Sequence, residues 1–365
     1  MPLTEVLTEV VLPGPVAPEG LQLRSGPVPE PGPGQALVAV EASGVSFAEQ
    51  QMRRGKYYDQ PPFPFVPGYD LVGTVAATGE GVDPGLRGHR FAVLTKVGGW
   101  ASHVLADAGD LVAVPDGVGA AEAETVVVNG ITAWQMLHRV AGARAGMTVL
   151  VHGANGGVGS TLVQLARSAG IAVIGTASPR HHDAVRALGA TPVDYRDPDL
   201  AARVRELAPG GVDAVFDHVG GDGIVDSFRL LARGGTLVSY GTAATRDVPG
   251  SSRAPVLKLL ARLALWNLLP NGRKAHFYNL WAGRRRRAAY QARMREDLGQ
   301  VLALLASGEF TAQVAARIPL AEAARALRLA ESGTVTGKVV LVTGDASVTD
   351  KGSATGKDSV TGKVS

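Results

Sequence analysis

The sequence predicts an α/β fold in which a doubly wound parallel sheet is joined to a β-rich, barrel-like unit. In residues 1–125, short alternating apolar runs such as 36–40 and 90–94 are separated by glycine and proline turns, which is typical of β-strands. From about residue 120 to 305, helical segments alternate with short apolar strands. That alternation is typical of a parallel sheet covered by helices, with a ligand at the carboxyl ends of its strands.

The individual strands are predicted from apolar runs bounded by turn residues. Residues 310–344 read as strand, helix and strand, and we expect them to return to the first unit. The other predicted strands lie at 36–40, 71–76, 90–94, 100–105 and 111–114 in the first unit, and at 149–152, 173–176, 192–195, 214–216 and 236–240 in the second.

The segment 147–170 reads as strand, glycine turn and helix. Its turn is GANGGVG at 153–159. In such a turn the first glycine allows a tight bend, the second lets backbone N–H groups approach a pyrophosphate, and the third lets helix and strand pack closely. We therefore predict that the phosphates lie at the helix N-terminus, against Asn155, Gly156, Gly157 and Val158. The alternative is an ordinary strand-to-helix turn that happens to be rich in glycine.

The residues after the second strand indicate which dinucleotide fits. An acidic residue there would bind the ribose 2′-hydroxyl of NAD and repel a 2′-phosphate. The chain instead reads TASPRHH at 176–182, so a hydroxyl and cationic or imidazole groups replace the acid. We predict NADPH as the cofactor, with Ser178, Arg180 and His182 at its 2′-phosphate. The alternative is that Ser178 caps the next helix, with Pro179 at its first position, and that Arg180 is solvated.

Composition limits the classes of protein that the chain can represent. Its 365 residues suit two domains, and 45% hydrophobic with 19% charged residues is ordinary for a globular protein. No long uncharged apolar run predicts a membrane span, and the N-terminus does not resemble a secretory signal, so we expect a cytoplasmic protein. The sequence has no cysteine, which excludes disulfides and thiolate metal sites.

Two neighbouring stretches at 256–295 stand out. Residues 256–269 form an apolar helix with two basic residues, and 273–295 contain eight arginines and lysines, although the net charge is only +3. We favour a buried subunit or domain contact for the helix and a solvated face for the basic run, because no nucleic-acid motif accompanies it. The alternatives are contact with a membrane surface or with an anionic acyl carrier.

The last residues repeat a six-residue unit that contains no aromatic residue and almost nothing to bury. This composition predicts a disordered, low-complexity tail without a catalytic role. The predicted domains are therefore 1–125 and 306–345 for the β-rich unit, 126–305 for the parallel-sheet unit, and 346–365 for the tail.

Taken together, eight motifs in this order resemble the medium-chain dehydrogenase/reductase superfamily, and within it the zinc-independent quinone oxidoreductase branch. They span nearly all of the chain before residue 345. The motifs are GVSFAE (44–49), RGKY (54–57), PFVPGYD (64–70), NGITA (129–133), HGANGGVG (152–159), DHVGG (217–221), GGTLVSYG (234–241) and GK (337–338).

The resemblance implies a GroES-like β-rich catalytic domain, a central Rossmann domain and a homodimer. It also implies NADPH-dependent reduction of quinones or α,β-unsaturated carbonyl compounds, without a metal. The chain departs from the family at Ser46 and Glu49, where asparagine and aspartate are usual. Zinc-dependent relatives carry cysteine near position 46 and Gly-His-Glu near position 68, where this chain has Ser46 and Gly68-Tyr69-Asp70.

Several site residues are carried over from the family's motifs. Tyr57 is the first candidate for contacting the substrate oxygen, and Ser46 and Thr132 are candidate hydroxyl donors near the nicotinamide. The alternatives are that Tyr57 lines the wall while water supplies the proton, and that Thr132 is a core residue with a satisfied hydroxyl. Tyr195 is expected at the adenosine end. The remaining predicted cofactor residues are Gly241, Thr242 and Lys338, which line the nicotinamide side or close over the cofactor.

Two other functions remain open on the sequence. One is an enoyl reductase that acts on a thioester-bound acyl or polyketide chain. The other is a non-catalytic NADPH-binding protein, for which the same glycine turn and phosphate pocket would serve.

Overall fold

Two β-sheets organise the chain. The computed structural model describes residues 6–245 and 253–344. The predicted tail at 346–365 lies outside the described residues. Within the described ranges, seven strands form one sheet, six form a second sheet, and two more pair as a hairpin.

The N-terminal part builds most of the first sheet from strands in which consecutive apolar residues are buried. The elements are β1 (Val6–Val11), β2 (Gln22–Pro27), β3 (Gln35–Val45), α1 (Phe47–Arg53), β4 (Asp70–Thr78), β5 (Arg90–Leu94), β6 (His103–Asp107), β7 (Val112–Ala113) and α2 (Ala120–Thr125).

The central part alternates strands and helices, as predicted. The elements are α3 (Val127–Trp134), β8 (Thr148–His152), α4 (Gly157–Ser168), β9 (Ala172–Ala177), α5 (His182–Leu188), β10 (Thr191–Asp194), α6 (Leu200–Leu207), β11 (Val212–Asp217), α7 (Ile224–Arg229), β12 (Leu231–Ser239), α8 (Arg253–Leu268), β13 (Lys274–Phe277) and α9 (Arg287–Ala306). The strands are parallel in the order β10-β9-β8-β11-β12-β13, which is the Rossmann order.

The C-terminal part returns to the first sheet. It consists of β14 (Val314–Pro319), α10 (Ala323–Glu331) and β15 (Lys338–Val342). The strand order of that sheet is β14-β15-β3-β4-β5-β7, and β6 also pairs with β3. The predicted α/β fold, with a Rossmann sheet and a GroES-like β-rich domain assembled from both ends of the chain, is confirmed.

The predicted strands differ from the observed ones mainly at their ends. The run predicted at 100–105 becomes a strand only from His103, because Trp100 is fully buried and its indole N–H donates to the Gly44 carbonyl at 2.9 Å. The run at 111–114 yields only the two-residue strand β7. Side-chain packing, which a local pattern does not contain, determines where these strands begin and end.

Helix α8 is the apolar helix expected at 256–269. Leu259 and Leu263 are buried against the Rossmann sheet, and Trp266 stacks on Phe228 with ring centroids 4.2 Å apart. Its other face is open, since Leu257 and Leu268 are 66% and 82% exposed. No helix within the described residues is both long and apolar enough to cross a bilayer.

A buried ion-pair triad joins the C-terminal strand to the rest of the first sheet. The Lys338 ammonium lies 2.7 Å from Asp70 Oδ2 and 2.7 Å from Glu124 Oε1, and all three side chains are at most 2% exposed. Asp70 Oδ2 also accepts a hydrogen bond from the Val128 N–H at 2.8 Å. A Cβ at Gly44 would overlap both Lys338 and Glu124, so only glycine leaves room for the triad.

Burial and the neighbouring members of the triad shift the pKa values of its groups. Burial alone would lower the pKa of Lys338, but the two carboxyl groups outweigh that effect and the pKa is raised. Burial and the neighbouring Asp70 raise the pKa of Glu124. The carboxyl groups therefore favour the protonated ammonium, which compensates buried negative charge that would otherwise be costly.

We expect Lys338→Met to lower the free energy of unfolding by about 3–5 kcal/mol, because it leaves two buried carboxyl groups without a cation. Urea denaturation followed by circular dichroism measures this loss. The exposed Lys274→Met on β13 is the matched control and should change stability by less than about 0.5 kcal/mol. A loss below about 1 kcal/mol for Lys338→Met would mean that the triad does not hold the strand.

Candidate active site

The candidate site lies at the carboxyl edge of the parallel sheet. The glycine turn at 153–159 follows β8, and Gly153 bends the chain with a φ of 67°. Helix α4 begins at Gly157 with Gly156 as its N-cap residue. A Cβ at Gly159 would overlap the Gly153 carbonyl, so the third glycine allows the close helix-to-strand packing that the sequence predicted.

The four residues predicted at the pyrophosphate surround the N-terminus of α4. Asn155, Gly157 and Val158 are partly exposed and Gly156 is exposed, so their backbone groups are accessible. A Cβ on Gly157 would lie 2.5 Å from the amide nitrogen of Asn129, which leaves no space for a side chain there. Their contact with phosphate remains a prediction.

The residues predicted at a 2′-phosphate form one turn after β9. Ser178 begins a 3-10 turn at Pro179–His181, but its hydroxyl makes no capping hydrogen bond. Arg180 is exposed, and its guanidinium donates to the Gly333 carbonyl and to the ring of His181. The His182 ring donates to the Ala177 carbonyl at 3.2 Å.

The other predicted cofactor residues follow further strands of the same sheet. Tyr195 comes after β10, is 49% exposed and carries Arg196 over its ring at 5.1 Å. Gly241 follows β12, where a Cβ would lie 2.7 Å from the His218 carbonyl. Thr242 lines a cavity of about 520 Å³ that extends along α8 past Lys258 and Arg262. The tertiary structure thus gathers these residues at one edge.

Lys338 differs from its prediction. We expected it to line the nicotinamide side or close over the cofactor, but its ammonium is buried between Asp70 and Glu124. The neighbouring residue instead faces the glycine turn, since the Gly337 N–H donates to the Asn155 carbonyl at 3.1 Å. The reason is electrostatic, because two buried carboxyl groups retain the cation more strongly than an open surface does.

Ser46 also differs from its prediction. It is the N-cap residue of α1, where its hydroxyl accepts from the Ala48 N–H and donates to Glu49, and the Ser46 N–H donates to the same carboxylate at 2.9 Å. The sequence predicts that this hydroxyl donates a hydrogen bond near the nicotinamide, but in the capping box its proton is donated to Glu49. The pair Ser46 and Glu49, which departs from the family's asparagine and aspartate, therefore serves the helix start.

Tyr57 belongs to an aromatic cluster that also contains Tyr69, Tyr278 and Trp281. The hydroxyl oxygens of Tyr57 and Tyr69 lie 2.9 Å apart, and the indole N–H of Trp281 donates to the Tyr69 hydroxyl. Burial raises the pKa of Tyr57 far above its usual value of 10.0. Tyr57 therefore stays neutral across the physiological range, so its hydroxyl can donate a hydrogen bond but does not act as an ionised base.

Thr132 is 7% exposed and lies near Tyr278. Burial raises the pKa of Tyr278, and the Thr132 side chain partly offsets that rise. The Tyr278 hydroxyl donates to the Gln135 side chain at 2.9 Å. A contact of Thr132 with the nicotinamide remains a prediction, and so does its alternative as a core threonine with a satisfied hydroxyl.

Sequence reasoning missed Tyr69, Trp281 and Glu49. Glu49 accepts from the Tyr69 N–H at 2.6 Å, and burial raises its pKa. Tyr69 and Asp70 belong to the PFVPGYD motif at 64–70, in which an aromatic residue precedes an acidic one. That pair could have indicated a functional position. Trp281 carried no such signal, because it lies 212 residues from the Tyr69 hydroxyl to which it donates.

A second polar network lies inside the Rossmann sheet. His152 bonds Thr176 through Nδ1 and Ser227 through Nε2, each at 3.1 Å, and Ser227 donates to Asp217 at 2.7 Å. Burial lowers the pKa of His152, which keeps the imidazole neutral. Among the described residues, no group of three or more His, Asp or Glu side chains could hold a metal ion.

Comparison with known proteins agrees with this arrangement. The zinc-binding dehydrogenase family matches residues 188–341, and the alcohol dehydrogenase GroES-like domain matches residues 32–116. A solved mycobacterial quinone oxidoreductase is 30% identical, with 92% of this chain and 99% of that chain covered and a TM-score of 0.76. The chain belongs to the quinone oxidoreductase branch of the medium-chain dehydrogenase/reductase superfamily.

Two further proteins are similar to this chain. The Escherichia coli quinone oxidoreductase, solved in complex with NADPH, is 25% identical, with 92% of this chain and 99% of that chain covered and a TM-score of 0.80. The human synaptic vesicle membrane protein VAT-1 homolog is 38% identical over 225 residues, which is 61% of this chain and 57% of the relative's length. This chain thus spans little more than half the length of that curated relative.

The buried His152 makes folding stability depend on pH. Because its pKa in the folded state lies below the ordinary 6.5, the unfolded chain binds more protons below that pH, and stability falls as pH decreases. One such group contributes at most about 1.4 kcal/mol per pH unit. We expect His152→Gln to reduce the loss of melting temperature between pH 7.5 and 5.5, as measured by scanning calorimetry.

The exposed His89→Gln is the matched control and should keep the pH dependence of the parent protein. An unchanged pH dependence in His152→Gln would show that this histidine is not the group that titrates on unfolding.

Proposed function

We propose that this chain is an NADPH-dependent oxidoreductase that reduces quinones or α,β-unsaturated carbonyl compounds by hydride transfer. The observation that carries the proposal is a neutral tyrosine, Tyr57, whose hydroxyl contacts Tyr69, which in turn accepts from Trp281 in the loop that follows β13 of the parallel sheet. The family and the NADPH complex of the E. coli relative support it. A homodimer and a cytoplasmic location remain expectations of the sequence.

The residues present fit a phosphorylated dinucleotide. The N-terminus of α4 offers backbone N–H groups after a turn in which Gly153 has a φ of 67° and Gly159 has no room for a Cβ, which suits a pyrophosphate. The Ser178 hydroxyl is not used as a cap, and no acidic residue stands between 176 and 182. Ser178, Arg180 and His182 would hold the 2′-phosphate, and Asn155, Gly156, Gly157 and Val158 the pyrophosphate.

The chain's own residues would polarise the substrate and keep water away. The bound nicotinamide supplies the hydride, which is the chemistry that the protein side chains cannot provide. Tyr57 would donate a hydrogen bond to the carbonyl or quinone oxygen, where negative charge accumulates as the conjugated carbon is reduced. The Tyr69 ring packs against Tyr57 and Trp281, so the charge would develop beside buried aromatic rings, with little water.

We expect loss of NADPH absorbance at about 340 nm with 1,4-naphthoquinone or trans-2-hexenal in steady-state assays. Tyr57→Phe should lower kcat by about 10- to 100-fold, since one hydrogen bond to a developing charge is lost. Turnover of crotonyl-CoA alone would favour the thioester enoyl reductase. Tight NADPH binding without turnover of any of these substrates would favour the non-catalytic alternative and would contradict the proposal.

Arg180→Ala should weaken NADPH binding by about 1.5–3 kcal/mol and leave NADH binding nearly unchanged, because only NADPH carries the 2′-phosphate. Fluorescence titration with both dinucleotides measures the two dissociation constants. Arg186→Ala, an exposed arginine on α5 that pairs with Asp183, is the matched control. Equal losses for the two cofactors in Arg180→Ala would place the phosphate pocket elsewhere.

A further inference from the structure

We propose that Trp281 and Tyr69 are positioning residues that fix the direction in which Tyr57 donates its hydroxyl proton. The inference deepens the proposed function and rests on it, because it concerns how the substrate oxygen is recognised. The three side chains come from distant parts of the chain. Tyr57 lies in the loop after α1, Tyr69 directly precedes β4, and Trp281 lies in the loop between β13 and α9.

The three groups are in direct contact. The Tyr57 and Tyr69 rings meet edge to face with centroids 6.3 Å apart, and the Tyr69 and Trp281 rings lie 5.6 Å apart. The two hydroxyl oxygens are separated by 2.9 Å, and the indole N–H is directed at the Tyr69 oxygen. Tyr69 is 5% exposed, so this contact lies in the interior.

The direction of this chain follows from what each group can donate and accept. An indole nitrogen only donates, so the Tyr69 oxygen accepts from Trp281. Among the described residues, the one acceptor then left within reach of the Tyr69 proton is the Tyr57 oxygen. If Tyr57 donated to Tyr69 instead, the Tyr69 proton would be buried without an acceptor, which is unfavourable. The order is therefore Trp281 to Tyr69 to Tyr57.

This order leaves the Tyr57 proton unused by Tyr69. Its nearest aromatic neighbour is Tyr58, with ring centroids 4.7 Å apart, and Tyr58 is 37% exposed. The proton of Tyr57 is thus directed away from the buried pair, to the side where a substrate oxygen can take the place of Tyr58 or solvent. Without the indole donor, Tyr57 could donate inward to Tyr69 and would be a weaker donor to substrate.

The arrangement also makes the donor depend on both domains. The loop that carries Trp281 is fixed by a backbone hydrogen bond. The main-chain N–H of Trp281 donates to the Asn279 side-chain oxygen at 2.9 Å. Arg284 lies over the indole at 4.9 Å, and Tyr290 stacks on it at 6.2 Å. The Rossmann domain therefore supplies the group that orders two tyrosines of the other domain. Substrates with an oxygen acceptor would be favoured over those without one.

The test uses Trp281→Phe, which keeps an aromatic ring and removes the N–H donor. With NADPH and 1,4-naphthoquinone, we expect kcat to fall about tenfold while the NADPH dissociation constant stays unchanged. In the double variant Trp281→Phe/Tyr69→Phe, no inward acceptor remains for Tyr57, so kcat should rise above that of Trp281→Phe. A purely structural role predicts the reverse, because a second lost contact would lower kcat further.

Trp266→Phe is the matched control. Trp266 lies in α8 and stacks on Phe228 of α7, so its replacement should leave kcat unchanged. A readout without turnover uses protein labelled with 3-fluorotyrosine. The ¹⁹F resonance that Tyr57→Phe removes should shift in Trp281→Phe and not in Trp266→Phe.

These measurements distinguish failure of the proposed function from failure of the inferred hydrogen-bond order. If the parent protein reduces no quinone or enone, the proposed function fails, and the ¹⁹F shift alone decides the hydrogen-bond order. If the Tyr57 resonance and kcat are the same in Trp281→Phe and in the parent, the inference is overturned. A kcat of the double variant below that of Trp281→Phe overturns it as well.

Discussion

The buried triad of Lys338, Asp70 and Glu124 is the constraint on which the arrangement of the site depends. Two of its members are directly preceded by a residue of the candidate site. Tyr69 directly precedes Asp70, and Gly337, which bonds the glycine turn, directly precedes Lys338. Because an uncompensated charge is costly in the interior, the triad holds the last strand, the start of β4 and α2 in one relative position.

The candidate site combines two groups of residues with different chemistry. The strand edge offers backbone N–H groups and a cationic turn, which suit phosphates by charge and by hydrogen-bond geometry. The aromatic cluster offers an uncharged donor, since burial raises the pKa of its tyrosines. In the proposed function, anion recognition and donation to a developing charge would therefore fall to different residues, each in the environment that strengthens it.

Much of the fold was predictable because it follows local rules. The strand at 148–152, the glycine turn and α4 are determined by apolar runs and by positions where a Cβ does not fit. The site was predictable only in part. Ser46 was assigned to the nicotinamide from a family position, whereas Glu49 three residues later signals a capping box. Lys338 was assigned to the cofactor for its charge, before its two buried partners were known.

The sequence by itself determined the fold class, the phosphate-type turn, the absence of cysteine and the motifs of an oxidoreductase superfamily. Each of these depends on residues close together in the chain, or on their identity alone. Only the tertiary structure decided that Lys338 serves the interior and that Trp281 reaches Tyr69. Such contacts join residues more than 200 positions apart, and which ones form depends on burial and hydrogen-bond satisfaction across the whole molecule.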